Sequence, residues 1–143
     1  MTPFRLLLDL SGLSQREAAA FLDARPDTVV SWSSGRRTAP VGAVDEMAQL
    51  VEAQTQAAHN AIEQIAQLIE GQDEGVKIEF GYPADDYEAQ ALGFPTPSAW
   101  GAMAARVVAK FPGRIRLVPR GSTPATAAAI EAHEGRAVSP APY

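Results

Sequence analysis

The sequence predicts a mainly α chain with a small α+β part: an N-terminal helical bundle, a long connecting helix and a small C-terminal unit of two strands and a helix. Three observations predict it. Positions 43–70 run for 28 residues without Gly or Pro, with apolar side chains recurring at 3–4 spacing. Upstream, Ser14-Gln15-Arg16-Glu17 and Arg25-Pro26 mark two closely spaced helix starts. Downstream, Val76–Phe80 and Arg114–Val118 alternate in the manner of strands and bracket further helix signals.

Each element follows in order. Phe4, Leu7 and Leu8 supply a first helix. Ser14 and Glu17 form a capping box for the second, whose Ala18, Ala19 and Leu22 lie on the face that a neighbouring helix must approach closely. Pro26 opens the third helix, from which Val29 and Trp32 at i, i+3 point back into the core. Gly35-Arg36-Arg37-Thr38-Ala39-Pro40 is a breaker-rich loop. In the long segment Val44, Met47, Val51, Gln54, Ala58, Ala61, Ile65 and Leu68 form a heptad-like seam, widened by Ile62 and Ile69. Its centre is thin. The stripe suits packing inside a dimer or an ordinary amphipathic helix, and Gly71 is the expected C-cap. Val76, Ile78 and Phe80 share one strand face, Ala84–Leu92 reads as a short helix, and Thr96-Pro97 starts a helix reaching Lys110. After the second strand, Thr126–His133 reads as helical and Ser139–Tyr143 as loose. The expected units are 1–42, 43–71, 76–120 and a tail, 121–143.

Composition narrows the function. A chain of 143 residues fits one compact domain or two small ones, and 27 of its apolar positions are alanine, so a partner chain is expected to supply buried surface. Zero cysteines exclude disulfides, thiolate zinc sites and cysteine nucleophiles. No apolar run approaches the roughly 20 residues of a membrane span, and no signal-peptide pattern opens the chain, so a soluble cytoplasmic protein is expected. The net charge of −5 is uneven: residues 41–75 hold seven acids and no Lys or Arg, while the segments on either side each sum to +1. His59 and His133 lack a metal-ligand companion. Asp85, Asp86 and Glu88 fit a helix start better than a cation site. No phosphate loop or nucleophile elbow appears. Neither enzyme, metal nor cofactor is expected.

Two short helices joined by about three residues and packed steeply describe a helix-turn-helix. The run Leu13-Ser14-Gln15 with Ala19, then Thr28-Val29, Trp32, Gly35 and Arg37, resembles the Cro/lambda-repressor-like (XRE-type) DNA-binding family over about 40 residues. Two positions depart from that family's pattern: Asp23 stands where its turn has Gly, and Ser33 where Glu follows the Trp. Asp tolerates the left-handed conformation better than most residues. Downstream, Phe94-Pro95-Thr96-Pro97-Ser98-Ala99-Trp100, Ala104-Ala105-Arg106-Val107 and Ile115-Arg116-Leu117-Val118-Pro119 are similar to the C-terminal part of anti-CRISPR-associated (Aca-type) autorepressors and their YdiL-like relatives. That resemblance implies a small α+β dimerisation domain and a homodimeric autorepressor of a phage or mobile-element operon.

The first resemblance implies a second motif helix in the major groove, with Arg25, Pro26, Asp27, Thr28, Val30 and Ser31 as its base-facing set. Arg25 can pair with guanine, Asp27 can accept from cytosine N4, Thr28 and Ser31 suit several bases, and Val30 suits a thymine methyl. Gln15 is the expected phosphate contact, and Arg16, Arg36 and Arg37 the electrostatic anchors. One such helix covers few base pairs, so a twofold pair reading an inverted-repeat operator is expected, with half-sites about 34–36 Å apart or a multiple of that. Two short strands make no stable sheet alone, which places the dimer interface in 76–120, with Ile78, Phe80, Trp100, Val107, Ile115 and Leu117 as core or interface. The alternative is an antitoxin that binds its operator and, through its C-terminal part, a toxin partner.

Overall fold

The computed structural model describes residues 1–121. Its elements are α1 (Pro3–Ser11), α2 (Gln15–Phe21), α3 (Pro26–Ser34), α4 (Val41–Ile69), β1 (Ile78–Tyr82), α5 (Asp86–Ala91), α6 (Pro97–Lys110) and β2 (Ile115–Pro119). The chain is mainly helical with one small two-stranded sheet. The expectations for Thr126–His133, His133 and Ser139–Tyr143 lie outside the described residues.

Local chemistry sets the helix ends. Thr2 caps α1, its hydroxyl accepting from the Arg5 N–H, and Pro3 sits in the first turn. The Ser14–Glu17 box closes α2 in both directions, at 3.0 and 2.9 Å. Thr96 caps α6 as expected, while Asp85 and Glu88 hold the start of α5. Several boundaries differ from the sequence reading; α5 spans Asp86–Ala91 rather than 84–92, and β2 spans Ile115–Pro119 rather than 114–118. α4 begins at Val41 and takes Gly42 into its first turn, where Pro40 precedes it with extended backbone. Its C-cap is Glu70, with left-handed Gly71 one residue beyond. β1 starts at Ile78 rather than Val76, because the Val76 N–H is spent on a turn with the Asp73 carbonyl.

One apolar core runs the length of α4. Phe4, Leu8, Val29, Met47 and Leu50 fill it at one end, and Ile65, Trp100, Met103 and Val107 belong to the same cluster. α1 and α6 both pack against α4. The stripe is therefore covered by its own chain, as in an amphipathic helix on a globular surface. Leu50, which the heptad reading passes over, is buried, whereas Leu68 is 56% exposed. The opposite face of α4 is solvated and carries Asp45, Glu46, Glu52 and Glu63. Among the described residues no helix is long and apolar enough to cross a membrane.

The thin centre of the seam has a polar explanation. Gln54 is fully buried, and its amide nitrogen donates to the carbonyls of Ser11 (2.8 Å) and Ala99 (2.9 Å). A single side chain thus satisfies the orphan carbonyl at the end of α1 and ties it to the first turn of α6; a leucine here would leave the Ser11 carbonyl dry, while the Ala99 carbonyl, inside α6, would keep its helical bond.

β1 and β2 pair with each other in parallel, Ile78 opposite Ile115 and Phe80 opposite Leu117, through the α5–α6 crossover. The strands therefore meet within one chain rather than requiring a symmetry mate to pair at all. Ile78, Phe80, Tyr82 and Ile115 pack on the core, with the Phe80 ring 5.3 Å from Trp100. Glu79 and Arg116 form an ion pair across the strands. Trp100 and Val107 are 5% and 0% exposed within this single chain, so they are core residues and not part of a free interface. Leu117 remains 48% exposed.

Candidate nucleic-acid interface

The expected site is built on α2, α3 and the loop after α3. Small residues let the two helices meet: Ala18, Ala19 and Val29 are 0–2% exposed at their junction. Between them the Ala24 N–H reaches the Ala19 carbonyl at 2.8 Å. Asp23 occupies the turn with φ 53°, the one left-handed residue other than glycine among those described. The position where Asp replaces Gly thus adopts the conformation that the turn demands.

α3 is held from behind. The Phe4 ring meets Trp32 edge-on at 5.6 Å, and the Thr2 hydroxyl donates to the Trp32 carbonyl at 3.3 Å. Thr2 was missed by the sequence reading, although Thr2-Pro3 repeats the cap signal recognised at Thr96-Pro97. Ser33, where the resemblance departs, is 3% exposed, and its hydroxyl has no hydrogen-bond partner among the described residues.

The outward face carries most of the expected residues. Gln15 and Arg16 are exposed at the start of α2, Arg25 is exposed just before α3, and Pro26, Asp27 and Val30 are exposed on α3, with Thr28 half-buried. Arg25 precedes α3 without a side-chain cap bond, and its carbonyl accepts from the N–H groups of Thr28 (3.0 Å) and Val29 (3.2 Å). Arg36 and Arg37 are exposed in the loop.

Ser31 requires a correction. It is 6% exposed, too deep for the base-reading role that the resemblance implied. Its hydroxyl accepts from the Arg36 guanidinium at 3.2 Å, its carbonyl accepts from the Arg37 N–H at 3.2 Å, and that same carbonyl accepts from the Ser34 hydroxyl. Ser31 therefore folds the arginine loop back onto α3. Its short side chain turned inward, and a pattern of spacing alone does not show that.

The α2 start is tied to the rest of the chain through Glu17. Burial pushes its carboxyl up, but bonds from the Ser14 N–H and from the Ser98, Ser14 and Thr96 hydroxyls outweigh burial and hold it below the ordinary carboxylate value.

Other chemistry-bearing residues have structural partners. Asp85 and Glu88 each accept a backbone N–H at the start of α5. His59 lies exposed beside Glu63 on α4. Among the described residues no three His, Cys, Asp or Glu gather as a metal site. Compared with protein-family models and with curated protein sequences, the chain matches none of them.

Proposed function

We propose that this chain is a sequence-specific DNA-binding transcriptional repressor: a homodimeric autorepressor of a phage or mobile-element operon, of the anti-CRISPR-associated type, reading a palindromic operator in the major groove. The observation that carries this reading is the α2–turn–α3 unit. Its inner face is closed by Ala18, Ala19 and Val29, its turn is made by left-handed Asp23, and its outer face leaves Arg25, Pro26, Asp27 and Val30 uncovered.

In this reading the unit is a helix-turn-helix and the start of α3 enters the groove. Arg25 pairs with guanine, Asp27 accepts from cytosine N4, Thr28 bonds a base edge and Val30 meets a thymine methyl. Gln15 and Arg16 hold one phosphate strand, while Arg36 and Arg37 hold another. Ser31 serves the anchors by restraining Arg36. A second copy doubles the recognised sequence, and exposed Leu117 on β2, with half-buried Ile78, Phe80 and Ile115 around it, is the apolar surface offered to that copy.

The test is a gel-shift titration against the DNA upstream of the chain's own gene, with scrambled DNA as control, at two salt concentrations. Tight, sequence-dependent binding to an inverted repeat is expected; equal binding to both DNAs would overturn the reading. Arg36→Ala with Arg37→Ala should weaken binding to every sequence and reduce the salt slope by about 2. Thr28→Ala should instead change sequence preference. Leu117→Asp should halve the mass seen by light scattering, and an unchanged mass would remove the proposed interface.

A further inference from the structure

We propose that Ser98 is a positioning residue for the DNA-binding surface, acting through Glu17 to set the placement of Gln15 and Arg16. The inference rests on the function proposed above and assigns to α6, far along the sequence, a part in presenting α2.

The starts of α2 and α6 share one carboxylate. Glu17 Oε1 accepts from the Ser14 N–H at 2.9 Å, and the Ser98 hydroxyl reaches Oε1 and Oε2 at 2.9 and 3.0 Å. The Ser98 oxygen lies 2.7 Å from that of Thr96, the N-cap of α6. With the Ser98 hydroxyl donating to the carboxylate, the Thr96 hydroxyl, which accepts from the Ala99 N–H, donates to the Ser98 oxygen. Both helices thereby place their positive ends beside the same negative charge.

Two further contacts show that the junction is tight. Gly12, at φ 79°, brings the α1–α2 corner so close to α6 that an added Cβ would lie 2.7 Å from the Ser98 carbonyl oxygen and 2.9 Å from the Ala102 Cβ. Gln54 joins Ser11 to Ala99 from the α4 side. Ser11, Gly12, Glu17 and Ser98 therefore meet at one junction, and Gln15 and Arg16, the two exposed residues before Glu17, sit on the same first turn of α2. A charge-assisted bond of this kind is worth about tenfold or more in an equilibrium.

The experiment compares Ser98→Ala and Ser98→Thr with the parent chain, measuring operator affinity across a salt series and the thermal midpoint. Ser98→Ala should lose about tenfold in affinity with a salt slope shallower by about one phosphate contact, and Ser98→Thr, which keeps the hydroxyl, should restore both. Unchanged affinity in Ser98→Ala overturns the proposal. So does a loss that leaves the slope intact and follows the thermal midpoint, which marks a merely structural role. A parent chain that binds no DNA overturns the function and the positioning role together. Amide exchange then judges the junction separately: faster exchange at Ser14 and Glu17 in Ser98→Ala establishes the link, and unchanged exchange abolishes it.

Discussion

The two ends of this molecule are built to different standards. Around α1, α2 and α3 each helix start carries a cap or a proline, the left-handed positions are Gly12, Asp23 and Gly35, and Phe4, Ala18 and Val29 are almost wholly buried. No residue of β1 or β2 is buried: all of β1 and Ile115 and Val118 of β2 are half-buried, Arg116, Leu117 and Pro119 are exposed, and the pair is parallel with two strands. Parallel sheets are normally covered on both faces. The difference teaches where rigidity resides: the helical end is determined by packing and caps, while the sheet leans on α6 through one apolar face.

Substitution should widen that contrast. Phe4→Ala removes a fully buried ring that also supports Trp32 and should cost about 3–5 kcal/mol, whereas Leu117→Ala should stay within about 1 kcal/mol in thermal or urea unfolding. Equal losses would show that the sheet is as constrained as the helices. Gln54→Leu comes next. It removes one unpaired oxygen but strands the Ser11 carbonyl and cuts the tie to Ala99, for a net loss of about 1–2 kcal/mol. The smallest effect concerns acid. Because the folded state holds the Glu17 carboxyl below its ordinary value, its contribution is fully present above about pH 4.3 and is lost as pH falls through the folded value. Glu17→Gln should therefore be less stable than the parent near neutrality and should converge with it in acid; a constant gap would mean that the charge is not what matters.

Most of the helical end was legible in advance because its signals are local. Ser14 with Glu17, Pro26, Thr96-Pro97 and the run from Ala43 all announce themselves within four residues. Trp100 and Val107 show the limit. Their apolarity implied burial, but only the three-dimensional chain reveals that α6 buries them against its own neighbours and not a partner. Ser31 shows another limit, since helical spacing does not decide whether a short polar side chain faces a groove or a nearby guanidinium. Strand pairing depends on residues about 37 positions apart, as Ile78 and Ile115 are, and no short-range pattern in either strand specifies the parallel register.

The solvated face of α4 has a consequence for encounters. Seven carboxylates and no Lys or Arg occupy residues 41–75, while Arg16, Arg25, Arg36 and Arg37 stand exposed near α2 and α3. The net negative charge is therefore concentrated on α4 and the turn after it. In the field of any polyanion the molecule turns before it touches, and approaches led by α4 are repelled within about 8–10 Å at moderate salt. In the proposed function the acids would then disfavour encounters led by α4, so that a chain of net negative charge would meet a negative surface with its arginine-bearing helices foremost.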